Sequence, residues 1–281
     1  MTRRLRTARR HVLVYAGLLP FVVIAVFPVY WMAVTALKRD ADLYRMDVVP
    51  LWFNLPPTLD HFRRLFTQTA FPQQLANTLQ LAACVVVITM VTAVPAGYAL
   101  ARLRLRGADN VGIAIFTTYL VPSIILFIPL ARMVGALGLF DSWWALVVVY
   151  PTFTIPFCTW KMMGYFKTVP AEIEEAAWVD GCSRARGIWH VVLPVSRPGF
   201  VITAIFAFSL AMQEYLYAVV YVAPRAEQVV TVGLATSLIR GDVYYWGSLM
   251  AGALVIGVPV AVLYTFVLDE FIQGLTGGAG V

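Results

Sequence analysis

The chain has 281 residues, of which 60% are hydrophobic and only 13% are charged, and its formal net charge is +6. About a quarter of the residues of a typical soluble domain are charged, so this composition excludes such a domain and indicates an integral membrane protein. The arginines flank apolar runs, which indicates contact with membrane lipid headgroups and no nucleic-acid partner.

Six apolar stretches are long enough to cross a membrane, since a transmembrane helix needs about 20 mostly apolar residues. They lie at about residues 12–37, 75–101, 111–131, 143–166, 199–222 and 247–269. The first stretch is too long for the apolar core of a cleavable signal peptide, so we interpret it as a span. The sequence therefore predicts an all-α polytopic membrane protein with a membrane domain at residues 12–272.

Arginines set the expected orientation, because positively charged flanks stay on the cytoplasmic side of a membrane. The N-terminal segment 1–11 is basic and contains no acidic residue. Six spans then place both termini in the cytoplasm, including the tail at 273–281. The same alternation predicts that the loops at 38–74, 132–142 and 223–246 lie outside.

The polar loop between the fourth and fifth predicted spans, residues 170–198, contains two predicted short helices. A proline can open the first helix, and the glutamates that follow it complement the helix dipole. The pair Asp180–Gly181 ends this helix, since glycine adopts a positive φ without steric cost. Ser183 can cap the second helix, which is predicted to run to about Val192 and to be closed by Pro194 and Pro198. The residues alone leave two interpretations open, namely a docking element for a soluble partner and an amphipathic segment lying on lipid.

The stretch EEAAWVDGCSRARGIWHVVLPVSRP resembles the EAA loop of ABC-importer permeases, in which Glu-Ala-Ala is followed by a glycine and later by a hydrophobic-Leu-Pro sequence. The coupling-loop residues that this resemblance identifies are Glu174, Glu175, Ala176, Ala177, Asp180, Gly181, Leu193 and Pro194. Cys182 stands where a small alanine is more usual. The stretches FPQQLANTLQLA, VPAGYALARLRLRG and GLFDSWWALVVVY are also similar to carbohydrate-uptake permeases of the maltose-permease kind, and to their smaller six-span subunit.

The resemblance implies a set of partners for the chain. It implies a bacterial plasma-membrane importer with a second permease, two ATPase subunits and an extracytoplasmic solute-binding protein. The EAA loop, 170–198, would be the coupling helix that docks into a cleft on the ATPase. Glu175 is then the expected partner of an arginine on that ATPase. The implied solute is a sugar or related polyol, and the alternative is another solute class such as glycerol phosphodiesters.

Cofactors and enzymatic activity are not expected in this chain. The sequence contains no GxxxxGK[ST] motif, so ATP and Mg are expected on the partner ATPase subunits. The cysteines and histidines have no metal-ligand or disulfide spacing, and no catalytic constellation can be argued. A secondary transporter, the rival class, predicts inverted repeats and several intramembrane charges, and the sequence shows neither clearly.

Glu214 is the acidic residue that lies clearly inside a predicted span, where a carboxylate costs about 2.5–3.5 kcal/mol and indicates a function. The residues assigned to the candidate solute path are Gln213, Glu214, Tyr215, Tyr217 and Asn77, the last at the outer mouth of the second span. The alternative is that Glu214 lies near the outer interface and pairs with Arg225. The sequence around Gln213 departs from the Trp-Asn-Glu/aromatic pattern of the family, and the tail GGAGV lacks the family's usual basic residue.

Overall fold

The computed structural model describes residues 2–45, 47 and 50–276, and the side chains of residues 11–45, 47 and 50–267. The side chains of the N-terminal arginines and residues 277–281 of the predicted tail therefore lie outside the described part. Within the described ranges the protein is mostly helical, as the sequence predicted, with one short two-stranded hairpin.

The elements follow one another with short connections. The first half contains α1 (Thr2–Leu37), α2 (Asp40–Leu43), α3 (Asp60–Gln68), α4 (Phe71–Arg102), α5 (Ala108–Tyr119), α6 (Ser123–Ala136), α7 (Trp144–Val149) and α8 (Pro151–Thr168). The second half contains α9 (Ala171–Val179), α10 (Arg184–Gly187), a π turn (Ile188–Val192), α11 (Leu193–Val195), α12 (Arg197–Gln213), α13 (Leu216–Tyr221), α14 (Val230–Leu238), β1 (Ile239–Arg240), β2 (Val243–Tyr244) and α15 (Trp246–Thr276).

Some of the predicted spans are single helices in the structure, and others are pairs of helices joined at a bend. By length and composition, His11–Leu37, Phe71–Arg102 and Trp246–Val267 can each cross a membrane as one helix. Two further candidates are bent pairs: α5 with α6 at 89°, and Arg184–Val195 with α12 at 74°. Counting each bent pair as one span gives up to five spans, so six spans stay a prediction.

The predicted fourth span, 143–166, is the one that these helices do not match. Pro151 divides it into α7 and α8, and α8 carries lysines and threonines that lower its hydropathy. Thr154 and Thr159 of α8 are nevertheless buried in protein. A helix whose polar side chains contact other helices does not need the apolar surface that lipid would demand.

The chain divides into two compact units. The first unit contains the residues up to Ala70 together with Leu234–Ala261. In it, α1 exposes apolar side chains on all sides between residues 12 and 28. The hairpin of this unit was not predicted, and its turn is built on Gly241, which has a φ of +58°.

Hydrogen bonds join the described residues of the polar connection after α1 to one another within the first unit. The Asp42 carboxylate is 2% exposed and accepts bonds from the backbone and side-chain amides of Asn54, at 3.1 and 2.9 Å. Burial raises the pKa of Asp42, but these hydrogen bonds and the charge of Lys38 outweigh it and hold the pKa below its ordinary value. His61 is also buried, with Nε2 2.7 Å from the carbonyl oxygen of Lys38.

The second unit is built on Phe71–Gly233 and continues from Val262. In it, α4 packs directly on α8, because Gly97 has no side chain. A Cβ at Gly97 would lie 2.7 Å from the Cβ of Met162. The hydroxyls of Thr89 and Thr154 form a buried hydrogen bond of 2.6 Å between the same helices. Small residues and hydroxyl pairs of this kind are typical of close helix packing in membranes.

Candidate functional site

The first candidate site is the segment 170–198 between α8 and α12. α9 ends at a left-handed glycine, since Gly181 has a φ of +86°. The Gly181 N–H donates to the Trp178 carbonyl at 3.1 Å, and the Cys182 N–H donates to the Ala177 carbonyl at 3.0 Å. This pair of bonds is the Schellman motif, which satisfies the last carbonyls of the helix. This geometry confirms the prediction that the first helix of the segment ends at Asp180–Gly181.

The second half of the segment begins at the predicted cap. The Ser183 hydroxyl accepts from the backbone N–H of Arg186, at 3.4 Å. The helical backbone then continues through the π turn to Val195, three residues beyond the predicted end at Val192. Pro194 follows directly on the π turn, whose wider hydrogen-bond spacing changes which carbonyls need a donor, and its missing N–H does not end the helix.

The turn at Asp180–Gly181, which we call the elbow, is exposed, and each half of the segment on either side of it carries a large exposed apolar side chain. Val179 is 88% exposed and Trp189 is 70% exposed. Among the residues that the sequence assigned to the coupling loop, the exposed ones are Glu175, Ala176, Asp180, Gly181 and Pro194. Glu174 and Ala177 are buried and Leu193 is half-buried. The elbow therefore presents apolar side chains beside an acidic one to whatever lies next to it.

Glu174 faces the protein and has two partners on α4. The Tyr98 hydroxyl donates to Oε1 of Glu174, and Nε of Arg102 lies 3.7 Å from Oε2. A cavity of about 500 Å³ adjoins this contact, and Arg184 lies over the Trp178 ring at 5.1 Å beside it. Sequence reasoning assigned no role to Tyr98 or Arg102, although their spacing of four residues places them on one face of a helix.

The second candidate site is the break between α12 and α13. Glu214 leaves the helical conformation, with a ψ of 132°. Its carboxylate accepts from the backbone N–H groups of Tyr217 and Ala218, at 3.1 and 3.3 Å, and from the Tyr150 hydroxyl at 2.9 Å. A carboxylate in this position caps the new helix and complements its dipole. These partners differ from Arg225, which the sequence offered as the alternative.

A cavity of about 490 Å³ lies at this break and at the bend between α5 and α6. Its lining residues are Tyr119, Leu120, Val121, Pro122, Ser123, Phe153, Leu210, Gln213, Glu214 and Tyr217. Irregular backbone at membrane depth is tolerated where it lines a cavity, and broken helices of this kind form solute sites in transporters. Aromatic rings, an amide and a carboxylate can together hold a polyhydroxylated ligand.

The predicted path residues are only partly brought together here. Gln213 and Glu214 line the cavity together with Tyr217, which is 1% exposed and donates its hydroxyl to the Ser123 carbonyl at 2.5 Å. Tyr215 is exposed and is not among the lining residues. Asn77 is buried elsewhere in the second unit, where its amide donates to the carbonyls of Ala226 and Gln228 at 2.7 and 3.0 Å.

The long apolar helices, the broken helices around a polar cavity and the polar elbow together define an integral membrane transport protein. Residues 93–275 match the family described as the inner membrane component of binding-protein-dependent transport systems, and the chain belongs to that family. The match covers both candidate sites. The predicted function as a permease subunit, rather than an enzyme, is therefore confirmed.

Individual relatives agree with this family. The chain is 33% identical over 254 residues to the sulfoquinovosyl glycerol transport system permease SmoH of Agrobacterium fabrum, covering 90% of this chain and 87% of the relative. It is 32% identical over 260 residues to the maltodextrin transport system permease MdxG of Bacillus subtilis, covering 91% of each. A solved bacterial ABC transporter involved in alginate import has the same fold in one chain, with a TM-score of 0.77 at 22% identity. This likeness covers 95% of the present chain and 98% of the other.

Proposed function

We propose that the chain is the permease subunit of an ATP-driven importer, and that it forms the membrane path for a sugar or related polyol together with a second permease. In this proposal residues 170–198 couple the path to two ATPase subunits. The family name, which refers to binding-protein-dependent transport, supports an extracytoplasmic solute-binding protein as a further partner. ATP and Mg are assigned to the ATPase subunits.

The observation that carries the coupling role is the exposed elbow of the segment. Val179 and Trp189 are large apolar side chains that solvent reaches, and Glu175 is exposed on the same α9 helix. Buried apolar anchors surrounded by polar groups are typical of protein docking sites. The Schellman motif at Gly181 and the Ser183 cap fix the shape of the elbow before a partner binds, which lowers the entropic cost of docking.

The topology in this proposal has six spans with both termini in the cytoplasm. The segment α7–α8 is then the fourth span, and its buried threonines support a position among other helices instead of in contact with lipid. With the N-terminal segment inside, the elbow between α8 and α12 also faces the cytoplasm, where the ATPase subunits would lie.

The solute assignment rests on the cavity at Gln213 and Glu214. Its lining contains a carboxylate, an amide and aromatic side chains, and the lining residues include no lysine or arginine. An anionic solute such as a glycerol phosphodiester would be repelled by the Glu214 carboxylate, with no lysine or arginine among the lining residues to offset the repulsion, so the cavity favours a neutral polyhydroxylated solute. The relative MdxG, named for maltodextrin transport, supports a neutral sugar as the solute.

The test is purification of the tagged wild-type chain in detergent, together with Glu175→Lys and Gly181→Asp. We expect an ATPase and a second permease to co-purify with the wild type, and the ATPase to be lost selectively from both variants. Asp60→Lys, a charge reversal at an exposed residue of α3, is the matched control and should retain the ATPase. A wild-type chain that purifies alone and transports solute without ATP would contradict the proposal.

A further inference from the structure

The two consecutive glutamates of α9 are in different environments. Glu174 is 5% exposed, whereas Glu175 is exposed. Successive side chains of a helix point in directions about 100° apart, so one can face the protein while the next faces solvent. The pair therefore directs one carboxylate into the protein and the next one to solvent.

The partners of Glu174 belong to a membrane-type helix. Tyr98 donates its hydroxyl to Oε1 of Glu174, and Nε of Arg102 lies 3.7 Å from Oε2. Both lie in the last turns of α4, the 32-residue helix that is long enough to cross a membrane. Glu174 thus connects the segment 170–198 directly to the end of α4.

Arg102 also connects α4 to α8. Its Nη2 donates to the backbone carbonyl of Val169, the C-cap residue directly after α8, at 2.5 Å. A guanidinium near the C-terminus of a helix is favoured by the helix dipole. The ends of α4 and α8 and the first turns of α9 therefore meet at one group of three residues, Tyr98, Arg102 and Glu174, which we call the Glu174 cluster.

Apolar contacts attach the other half of the segment at the same place. Val192 of the π turn belongs to a buried group with Phe166 and Met162 of α8. The Tyr98 ring packs edge-on against Phe166, with the ring centroids 5.6 Å apart. Both halves of the segment therefore contact the same ends of α4 and α8.

Arg102 and Glu174 form an ion pair in this cluster without a direct hydrogen bond between them. A separation of 3.7 Å is too long for a hydrogen bond, and the buried Nε of Arg102 has no hydrogen-bond partner among the described residues. An unsatisfied buried donor is unfavourable, so a small movement of α9 toward α4 that closed the gap would gain a charge-assisted bond. In the structure this contact is open, and closing it would give the second arrangement that a coupling element requires.

We infer that Glu174 is a positioning residue that transmits displacement of the elbow to α4, while the exposed Glu175 contacts the ATPase. This inference rests on the proposed function, because it needs an ATPase at the elbow. It assigns transmission to the inward glutamate and docking to the outward one.

The experiment uses the complete importer reconstituted in vesicles, and it measures the solute moved per ATP hydrolysed. Glu174→Ala and Tyr98→Phe are compared with Asp60→Asn, which neutralises an exposed carboxylate of α3, outside the segment 170–198. Both cluster variants should keep the ATPase bound and active. Their solute-to-ATP ratio should fall, by about tenfold for Glu174→Ala, since a hydrogen bond to a charged group shifts an equilibrium by about that factor. Asp60→Asn should behave as the wild type.

A charge swap separates transmission from a merely structural role. The double variant Glu174→Arg with Arg102→Glu is expected to recover part of the lost ratio, because it restores an ion pair between α9 and α4. If Glu174→Ala does not assemble, Tyr98→Phe decides: a reduced ratio supports the inference and an unchanged ratio overturns it.

Two results overturn the inference, and one contradicts the proposed function itself. Wild-type ratios in both cluster variants would show that the contact transmits nothing. Selective loss of the ATPase from Glu174→Ala, with an unchanged ratio in Tyr98→Phe, would make Glu174 a docking residue. ATPase retention by the wild-type chain is measured first. A wild-type chain that retains no ATPase contradicts the coupling function, whatever the variants do.

Discussion

The Tyr150 hydroxyl donates a hydrogen bond of 2.9 Å to the Glu214 carboxylate, and so connects the start of α8 to the break between α12 and α13. The same carboxylate caps α13 through the backbone N–H of Tyr217. Glu214 thus has a structural role in forming the cavity, whereas its neighbour Gln213 is exposed at the cavity and is available to a solute.

Because Glu214 is structural and Gln213 is available to a solute, substitution of Glu214 should affect stability and substitution of Gln213 should affect uptake. Glu214→Ala removes several bonds to a charged acceptor and should lower the free energy of unfolding by about 1.5–3 kcal/mol. Gln213→Ala should leave the melting temperature in detergent unchanged and reduce solute uptake in vesicles. Equal melting temperatures for Glu214→Ala and the wild type would contradict the capping role. Unchanged uptake by Gln213→Ala would exclude that residue from the path.

The elbow gives a prediction about backbone conformation. Gly181→Ala adds a Cβ that meets no neighbouring atom, but at a φ of +86° a residue with a side chain is strained by about 1–2 kcal/mol. We expect faster hydrogen exchange of the Cys182 amide and weaker retention of the ATPase. Gly164→Ala is the matched control, because Gly164 lies inside α8 with open space around it and no positive φ. Similar behaviour of the two variants would show that the left-handed turn is unimportant.

Close packing of α4 on α8 predicts a steric effect at Gly97. A Cβ there would lie 2.7 Å from the Met162 Cβ and 2.9 Å from the Met163 backbone nitrogen, and the backbone atom cannot rotate away. Gly97→Ala should therefore lower the free energy of unfolding by about 1–3 kcal/mol. Gly257→Ala in α15 meets open space and should be neutral or slightly stabilising. Thermal unfolding in detergent compares the two variants, and an equally stable Gly97→Ala would contradict this packing.

Local chemistry explains which parts of the elbow could be predicted from the sequence. The turn at Gly181 and the cap at Ser183 depend on residues within a few positions of each other, so their spacing was sufficient to predict them. Local spacing did not predict that the helix continues past Pro194. The free-energy cost of a proline in a helix depends on whether the neighbouring carbonyls already have hydrogen-bond partners, and the sequence does not state this.

The contacts that could not be predicted from the sequence join residues that are far apart along the chain. Tyr98 and Glu174 are 76 residues apart, and Tyr150 and Glu214 are 64 residues apart. Periodicity indicates which face of a helix is apolar, but not which other helix that face meets. The sequence therefore grouped Glu174 with the other coupling-loop residues without identifying its partners on α4, and it offered Arg225 as the alternative partner of Glu214.

The buried carboxylate of Asp42 predicts a pH-dependent contribution to stability. Its pKa in the folded protein lies below the ordinary value, because the bonds from Asn54 and the charge of Lys38 outweigh the effect of burial. A lowered pKa in the folded state stabilises the protein at pH values above the unfolded pKa of about 3.9, and this stability is lost as the pH falls toward the folded pKa. Asp42→Asn should therefore lower the free energy of unfolding by about 1.5 kcal/mol at pH 7 and by progressively less as the pH falls below about 4. Thermal unfolding in detergent from pH 7 to pH 3, with the exposed Asp60→Asn as the control, measures this difference. A difference between wild type and Asp42→Asn that stays constant over this range would show that the carboxylate is not held in its charged form by these partners.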